Sequence, residues 1–479
     1  MKLAVRSVMF GALAVGLVAL AGCDLAPTYK VPLVSVPVDY KEAGQWQQAK
    51  PADALPRGAW WTMYGDATLN GLEDRVDGGS PTLAAALAIY QRATAIEQQA
   101  EAGLFPSLFI GGRVNTDRQS DRRPLRGRGQ PNQYLDNAIT AQATYEVDLW
   151  DRVANTIKAG KSAAQASAAD LETLRLSLHA ELASDYLTMR SLDIEAGVLR
   201  DTVAAYSKAL QLVQNRLAGK IASELDVTRA QTQLSFADAQ VADIAARRAL
   251  LEHAVAVLVG LPPAELSIAP VIVDTHVPVV ATGLPSTLLQ RRPDIASAER
   301  LVAAANATIG VAKAAFYPTL SLNLIYGLED TGFNIFSLPN DFWAIGPGLA
   351  MPLFEGGLRD AQEAAAVAAY QLAVANYKQA VLTAFQQVED NLALLRFLGD
   401  EEHSEDAAVA AAKQTVTMSM ALYTDGAISY LEVVTAQEAE LQAEQTAIAL
   451  HARRLEASVG LIRALGGGWE RSDLPEIKS

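Results

Sequence analysis

Along residues 139–149, ITAQATYEVDL, apolar and polar side chains alternate almost without a break. Ile139, Ala141, Ala143, Tyr145, Val147 and Leu149 fall on one side; Thr140, Gln142, Thr144, Glu146 and Asp148 fall on the other. A period of two is that of a β-strand with one apolar and one wetted face. Most of the surrounding chain has a different pattern. From Val153 to Leu217 there is no proline, and the stretch predicts a rod of some 65 residues, about 100 Å long. A helix of that length exceeds ordinary globular helices and calls for a coiled-coil partner. A turn is expected at Ala218–Ser223, with a returning helix to about Gly260. Upstream, Ser80-Pro81 suits the N-cap and first turn of a helix that runs to about Leu104. Pro106 ends it, a strand covers Ser107 to Asn115, and a loop rich in Arg, Gly and Pro fills 117–135.

The same order recurs downstream. AEAGLFPSLFI (100–110) resembles AKAAFYPTLSL (312–322), YEVDLWDR (145–152) resembles AMPLFEGG (350–357), and ASELDVTRAQTQL (222–234) resembles ISYLEVVTAQEAE (428–440). Offsets near 200 residues mark a duplicated unit rather than a short solenoid repeat. The expected division is a first repeat at 80–260, a proline-rich linker at 261–285, a second repeat at 286–465 and a loose tail at 466–479. In the second unit, Pro293 and Asp294 suit a helix start. Strands are expected at 318–327 and 342–353. A rod from Leu358 to Tyr423 turns at Thr424-Asp425-Gly426 and returns to Leu465.

Strands of 9 to 11 residues are long enough to cross a bilayer when tilted. In the second unit Leu320, Leu322, Leu324 and Tyr326 alternate with Ser321, Asn323, Ile325 and Gly327. Trp343, Ile345, Pro347 and Leu349 alternate with small residues. Phe105, Trp150, Tyr317 and Phe354 cluster at one end, Tyr134, Phe342 and Trp343 at the other, in the manner of interfacial girdles. A soluble four-stranded sheet packed on helices would alternate in the same way. Rods too long to fold back over a small sheet favour the membrane. Four strands cannot close around a lumen, and an open edge in lipid leaves backbone groups unpaired. Several copies must therefore share one barrel, with Glu146 and Asp148 facing water inside it.

The N-terminus adds a destination. Lys2 and Arg6 precede the apolar run MFGALAVGLVALAG, as in a secretory leader. It ends in Leu20-Ala21-Gly22-Cys23, which resembles a bacterial lipobox: residues 1–22 would be removed and Cys23, the sole cysteine, would carry a covalent lipid. No other cofactor is expected. Residues 23–79 then form a lipid-anchored segment and equatorial region. Asp24 resembles the aspartate that in some bacteria retains a lipoprotein in the inner membrane. No later stretch offers 18 uninterrupted apolar residues, so no spanning helix is expected. Net charge is −15; without Lys2 and Arg6, 37 basic residues face 54 acidic ones, about −17. That balance argues against a nucleic-acid partner. A single cysteine rules out an intramolecular disulfide, and the five histidines lack metal-ligand spacing. Neither a Gly-x-Ser-x-Gly elbow nor a phosphate loop appears, so an enzyme is not expected.

Around Arg291-Arg292-Pro293-Asp294-Ile295, the segment LPSTLLQRRPDIASAERLVAAANATIGVAKAAFYPTLSL resembles the TolC-like outer membrane efflux factors, in their NodT-type lipoprotein branch. Trp60-Trp61 with Leu69, ASELDV (222–227), PLFEGG (352–357) and YTDGAISYLEVVTAQ (423–437) extend the resemblance over the mature chain. It implies a mainly α fold with a small transmembrane β part. In a homotrimer, each copy would give four strands to a twelve-stranded outer-membrane barrel and long helices to a periplasmic tunnel. It further implies the exit duct of a tripartite RND-type pump for drugs, toxic compounds or metal ions. The partners would be a periplasmic adaptor, an inner-membrane RND transporter and outer-membrane lipid. The family narrows its pore where paired rods turn. On matching positions Asp226 and Glu432 are the gate acids, Tyr423 a latch, and Asp425 a further acid beside them.

Rings of carboxylates from three copies would make such a tip cation-favouring. Helix capping is the competing account for each acid. Lys220 stands where Gly426 stands in the other unit, with Gly219 beside it to supply flexibility. Arg118, Arg122, Arg123, Arg126 and Arg128 crowd the first inter-strand loop, where they would meet lipopolysaccharide phosphates or merely water. The alternatives are a type I secretion duct and a non-channel periplasmic coiled-coil scaffold, which would need no amphipathic strands.

Overall fold

A computed structural model describes residues 23–43, 58–122, 129, 131–280, 283, 285–332, 334–336 and 338–476. The leader expected at 1–22 and Arg123, Arg126 and Arg128 lie outside them. Helix α1 (Ala67–Gly79) starts where the Asp66 side chain accepts from the Thr68 and Leu69 N–H groups. Ser80 caps α2 (Pro81–Glu101), whose first position is Pro81, and a 3₁₀ turn carries the chain past Leu104 into β1 (Ser107–Arg118). After β2 (Gln133–Val147) comes the rod α3 (Arg152–Ala218), of 67 residues, and its return α4 (Glu224–Leu258), of 35. The second half repeats the order: α5 (Pro285–Arg291), α6 (Pro293–Ala314), β3 (Thr319–Asp330), β4 (Asp341–Ala350), α7 (Leu358–Thr424) and α8 (Tyr430–Ala464). Its rod and return again measure 67 and 35 residues. At 1.5 Å per residue each rod spans about 100 Å. Before each rod the chain turns through the left-handed region, at Asp151 (φ 51°) and at Gly357 (φ 86°).

The strands form one antiparallel sheet in the order β1-β2-β3-β4. Its register places Leu108 opposite Ala143, Ala143 opposite Leu324 and Leu324 opposite Ile345. One row away, Ile110, Ala141, Tyr326 and Trp343 line up in the same way. Directly opposed residues share a face, so this face is apolar across all four strands. It is also bare: Ile110 is 80% exposed, Ile345 69% and Leu349 71%. Among the described residues no helix packs across the sheet. The soluble reading, with helices covering the apolar face, is therefore not what this chain does.

The main core lies midway along the rods, where α1, α2 and α6 lie against them. Trp60, Leu69, Leu182, Tyr186, Met189, Ile295, Val302, Val381, Leu392 and Ile462 are buried there. A strap within 261–280 crosses this belt. Arg190 donates to the Ala269 carbonyl (2.8 Å) and Arg248 to the Ile268 carbonyl (2.6 Å). Both guanidiniums meet Asp193, at 2.9 and 2.6 Å, and Asp193 also accepts the Val271 N–H. Farther on, His451 bonds the Thr275 carbonyl (2.8 Å) and Glu402, which also pairs with Arg454. The linker is thus a girth strap fastened to both repeats.

Three expectations need correction here. The first inter-strand loop is shorter than 117–135, because the ladder continues to the Arg118–Gln133 pair. The C-terminal stretch is docked rather than loose: Arg471 reaches Glu299 (2.8 Å), and the Pro475 carbonyl accepts from Gln165. Phe342 is not part of an apolar girdle. It sits opposite Gly327 on the other face, its ring so close that an added Cβ would meet it at 2.6 Å.

Candidate functional site

The second face of the sheet carries its polar and small residues, with Phe109, Ile325 and Phe342 among them. Thr144 lies between Ser107 and Asn323, Thr140 between Gly111 and Gly327, Gln142 between Phe109 and Ile325, and Glu146 opposite Ser321. Asn323 donates to the Ser321 hydroxyl at 3.0 Å. The structure therefore brings Thr140, Gln142, Thr144 and Glu146 onto one hydrophilic wall. Asp148 does not join them. The strand stops at Val147, and the Asp148 carboxylate accepts the Ala154 N–H at 2.8 Å, satisfying a free donor in the first turn of α3. Nor is Glu146 a free acid: Arg152 donates to both its oxygens, from Nε at 2.8 Å and Nη2 at 2.6 Å.

At the opposite end, the two rods turn side by side. Each closes with the same pattern of hydrogen bonds, Ile221 N–H to Arg216 O and Ala427 N–H to Leu422 O, both 2.8 Å. This six-to-one closure requires a left-handed residue, normally glycine. Gly426 supplies it at φ 78° in the second turn; in the first, Lys220 itself does so, at φ 61°. Gly219 keeps an ordinary φ of −76°, so the expected flexibility is not used there.

Asp226 is the third residue of α4 and forms a capping box. Its N–H donates to the Ser223 hydroxyl, and its carboxylate accepts from the Ser223 N–H (3.1 Å) and hydroxyl (2.8 Å). The capping account thus describes Asp226 in this state. Glu432 occupies the equivalent place in α8, but Ser429 makes no such cap. Glu432 and Asp425 are exposed and pair with nothing among the described residues.

Tyr423 is buried rather than presented to an opening. Its ring lies 5.2 Å from that of Tyr430, in a small core with Leu210, Val213 and Val433. Arg216, from the other hairpin, sits 4.7 Å above the Tyr423 ring and donates to the Thr424 carbonyl at 2.9 Å. Burial, with Tyr423 and Asp226 nearby, pushes the Tyr430 phenol up to about 12. Tyr423 thus ties two hairpins of one chain together. Neither Arg216 nor Tyr430 stands in a motif that marks it by sequence alone. The available signals were a cation in a helix's last turn and an aromatic on each side of a turn.

Cys23 is exposed at the helix end of the sheet, its N–H on the Leu149 carbonyl at 3.1 Å. Beside it Trp150 stacks on Tyr317 at 4.6 Å and donates to the Pro318 carbonyl. At the far end of the sheet, Arg118 closes β1 and Arg122 lies exposed in the following turn.

A bare apolar sheet face, a hydrophilic opposite face and two rods of about 100 Å define a subunit of an outer-membrane channel with a helical extension. The chain belongs to the outer membrane efflux protein family, whose model matches residues 74–261 and again 284–467. It is 30% identical over 440 residues to the pyoverdine export outer membrane protein OpmQ of Pseudomonas putida KT2440, covering 89% of this chain and 92% of that one. It is 27% identical over 458 residues to the cation efflux system protein CusC of Escherichia coli O6:H1, covering 95% and 97%. The structure of the outer-membrane channel OprN superposes with a TM-score of 0.84 at 26% identity, over 93% of this chain and all of that one. The protein is an outer-membrane channel component of an efflux system. Its family and the relatives named above are efflux channels.

Proposed function

We propose that three copies of this chain close a single twelve-stranded barrel and continue it as a helical tunnel. The barrel would be the passive exit duct of a tripartite RND-type pump for drugs, other toxic compounds or metal ions. The observation that carries this reading is the bare apolar face of an open sheet. Among the described residues the outer edges of β1 and β4 have no partner strand. In hydrocarbon, unpaired backbone groups cost several kcal/mol each, whereas β4 of one copy beside β1 of the next satisfies both edges. Thr140, Gln142, Thr144 and Glu146 then face the water-filled lumen. The rods project into the periplasm, where their tips meet an adaptor that links the duct to an inner-membrane transporter. Cys23 carries the lipid, at the level of the Trp150–Tyr317 stack. Arg118 and Arg122 face outward to lipopolysaccharide phosphate.

At the tip, Glu432 and Asp425 supply exposed carboxylates, and parting the hairpins uncovers Asp226, whose cap with Ser223 lies within its own turn. Arg216 and Tyr423 hold them together. The test is the mass of the purified detergent complex together with its conductance in planar bilayers. A trimer with small, cation-selective openings is expected. Replacing both Asp226 and Glu432 by alanine should raise conductance or weaken selectivity; unchanged traces would remove these two acids from the gate, and a monomer would remove the duct.

A further inference from the structure

Two of the partners of the Asp24 carboxylate, Lys158 and Asn155, are ones only the folded chain can provide. Lys158 Nζ lies 2.7 Å from one oxygen, and the other accepts from Asn155 Nδ2 (3.0 Å) and the Ala26 N–H (3.0 Å). Asn155 is fully buried. Lys158 and Asn155 stand one helical turn apart on α3, more than a hundred residues from Asp24. The rest of the segment is fixed around them. Cys23 N–H is on the Leu149 carbonyl, the Pro27 carbonyl accepts from Asn306 of α6 (2.8 Å), and Tyr29 bonds Glu299. Gly310 of α6 makes the fit possible. A Cβ there would meet Asn155 Nδ2 at 2.6 Å and Ala26 Cβ at 2.8 Å. Burial by itself would raise the Asp24 carboxyl; Lys158, Asn155 and the Ala26 N–H outweigh it and hold the group below its ordinary value. It is therefore ionised, and its charge is matched by Lys158.

An aspartate directly after a lipidated cysteine resembles an inner-membrane retention signal, yet this family works in the outer membrane. We propose that folding silences the signal. Asp24 is available to act at the inner-membrane surface until α3 and α6 assemble, and Lys158 and Asn155 then capture its carboxylate. Release to the outer membrane is thereby conditional on a folded chain. The inference rests on the lipid-anchor reading above.

The experiment uses the full chain in a bacterial host with an outer membrane. It separates inner from outer membranes and reads the N-terminal peptide by mass spectrometry for lipid on Cys23. Lys158→Glu reverses the charge of a half-exposed residue and leaves the core untouched; Lys158→Ala with Asn155→Ala removes both donors. Each is expected to enlarge the inner-membrane share about fivefold, on the order of the loss of one charge-assisted contact. Adding Asp24→Ser should return it to the wild-type share. Lipidated variants that sort like wild type would overturn the proposal. Retention that Asp24→Ser fails to relieve would also overturn it, since damage to the fold would then be the cause. A wild-type chain with no lipid on Cys23 would overturn the anchor reading and this inference together.

Discussion

Lys220 illustrates how one residue can carry a local cost that its repeat partner avoids. The left-handed region costs an L-residue roughly 1–2 kcal/mol, and Gly426 meets the same requirement without a side chain. Lys220→Gly should therefore stabilise the first tip turn by about 1 kcal/mol, read as slower amide exchange at residues 216–224. Glu73 is a different case. Its side chain is buried against His179 at 2.6 Å, with Trp61 stacked on the imidazole. Burial raises the carboxyl from 4.5 to about 7, although His179 pulls the other way. The folded chain therefore holds this proton more tightly than the unfolded chain. The associated stability is complete below about pH 4.5 and is lost as pH rises through 7. Glu73→Gln should flatten the fall in apparent melting temperature between those limits and melt higher than wild type at pH 8. The proline and aspartate of Arg-Arg-Pro-Asp-Ile were readable as a helix start. The pairing of Glu73 with His179 was not, because 106 residues separate them and neither sits in a motif.

Among the elements, the strands were the most legible from sequence, because alternation records a face directly. The alternation could not say which strands are neighbours: β2 and β3 are separated by the whole first rod yet pair over eleven residues. Nor did it separate Phe342 from the girdle aromatics, since the register alone puts that ring over Gly327. Gly327→Val should overpack this contact, at about 1–3 kcal/mol, and lower the yield of folded oligomer on unheated gels. Phe342→Ala in the same chain should restore it; failure of the rescue would assign Gly327 some other role. The rods were legible from length alone, and their two turns from spacing. The capping box at Asp226 was visible as Ser-x-x-Asp, but the same spacing at Ser429 and Glu432 forms no box. A spacing of this kind shows that a cap is available, while packing decides whether it forms.

For the whole molecule, the strap at 261–280 deserves weight beside the barrel and the tip. It lies across the belt midway along the rods and is held by a cluster of buried charges in which Arg190 and Arg248 share Asp193, and Arg248 also pairs with Glu252 at 2.9 Å. Asp193 is 2% exposed and serves Arg190, Arg248 and the Val271 N–H together. Asp193→Ala leaves the buried Arg190 without its carboxylate and Arg248 with Glu252 alone. Breaking a buried pair costs about 3–5 kcal/mol, so the apparent melting temperature should drop sharply and the strap should become open to proteolysis. A variant that melts like wild type would mean that Glu252 and the backbone carbonyls of Ile268 and Ala269 suffice.

The sequence by itself determined the alternating strands, the paired rods, the duplication and the membrane destination. Each is written in local periodicity or in order along the chain, and both survive without knowledge of contacts. Only the tertiary structure decided what distant residues do for one another. It gave Asp148 to a helix start, Glu146 to Arg152, Tyr423 to a seam between hairpins, and Asp24 to Lys158. Charges and rings are satisfied by whatever the fold brings within a few ångströms, and a linear pattern carries no record of that.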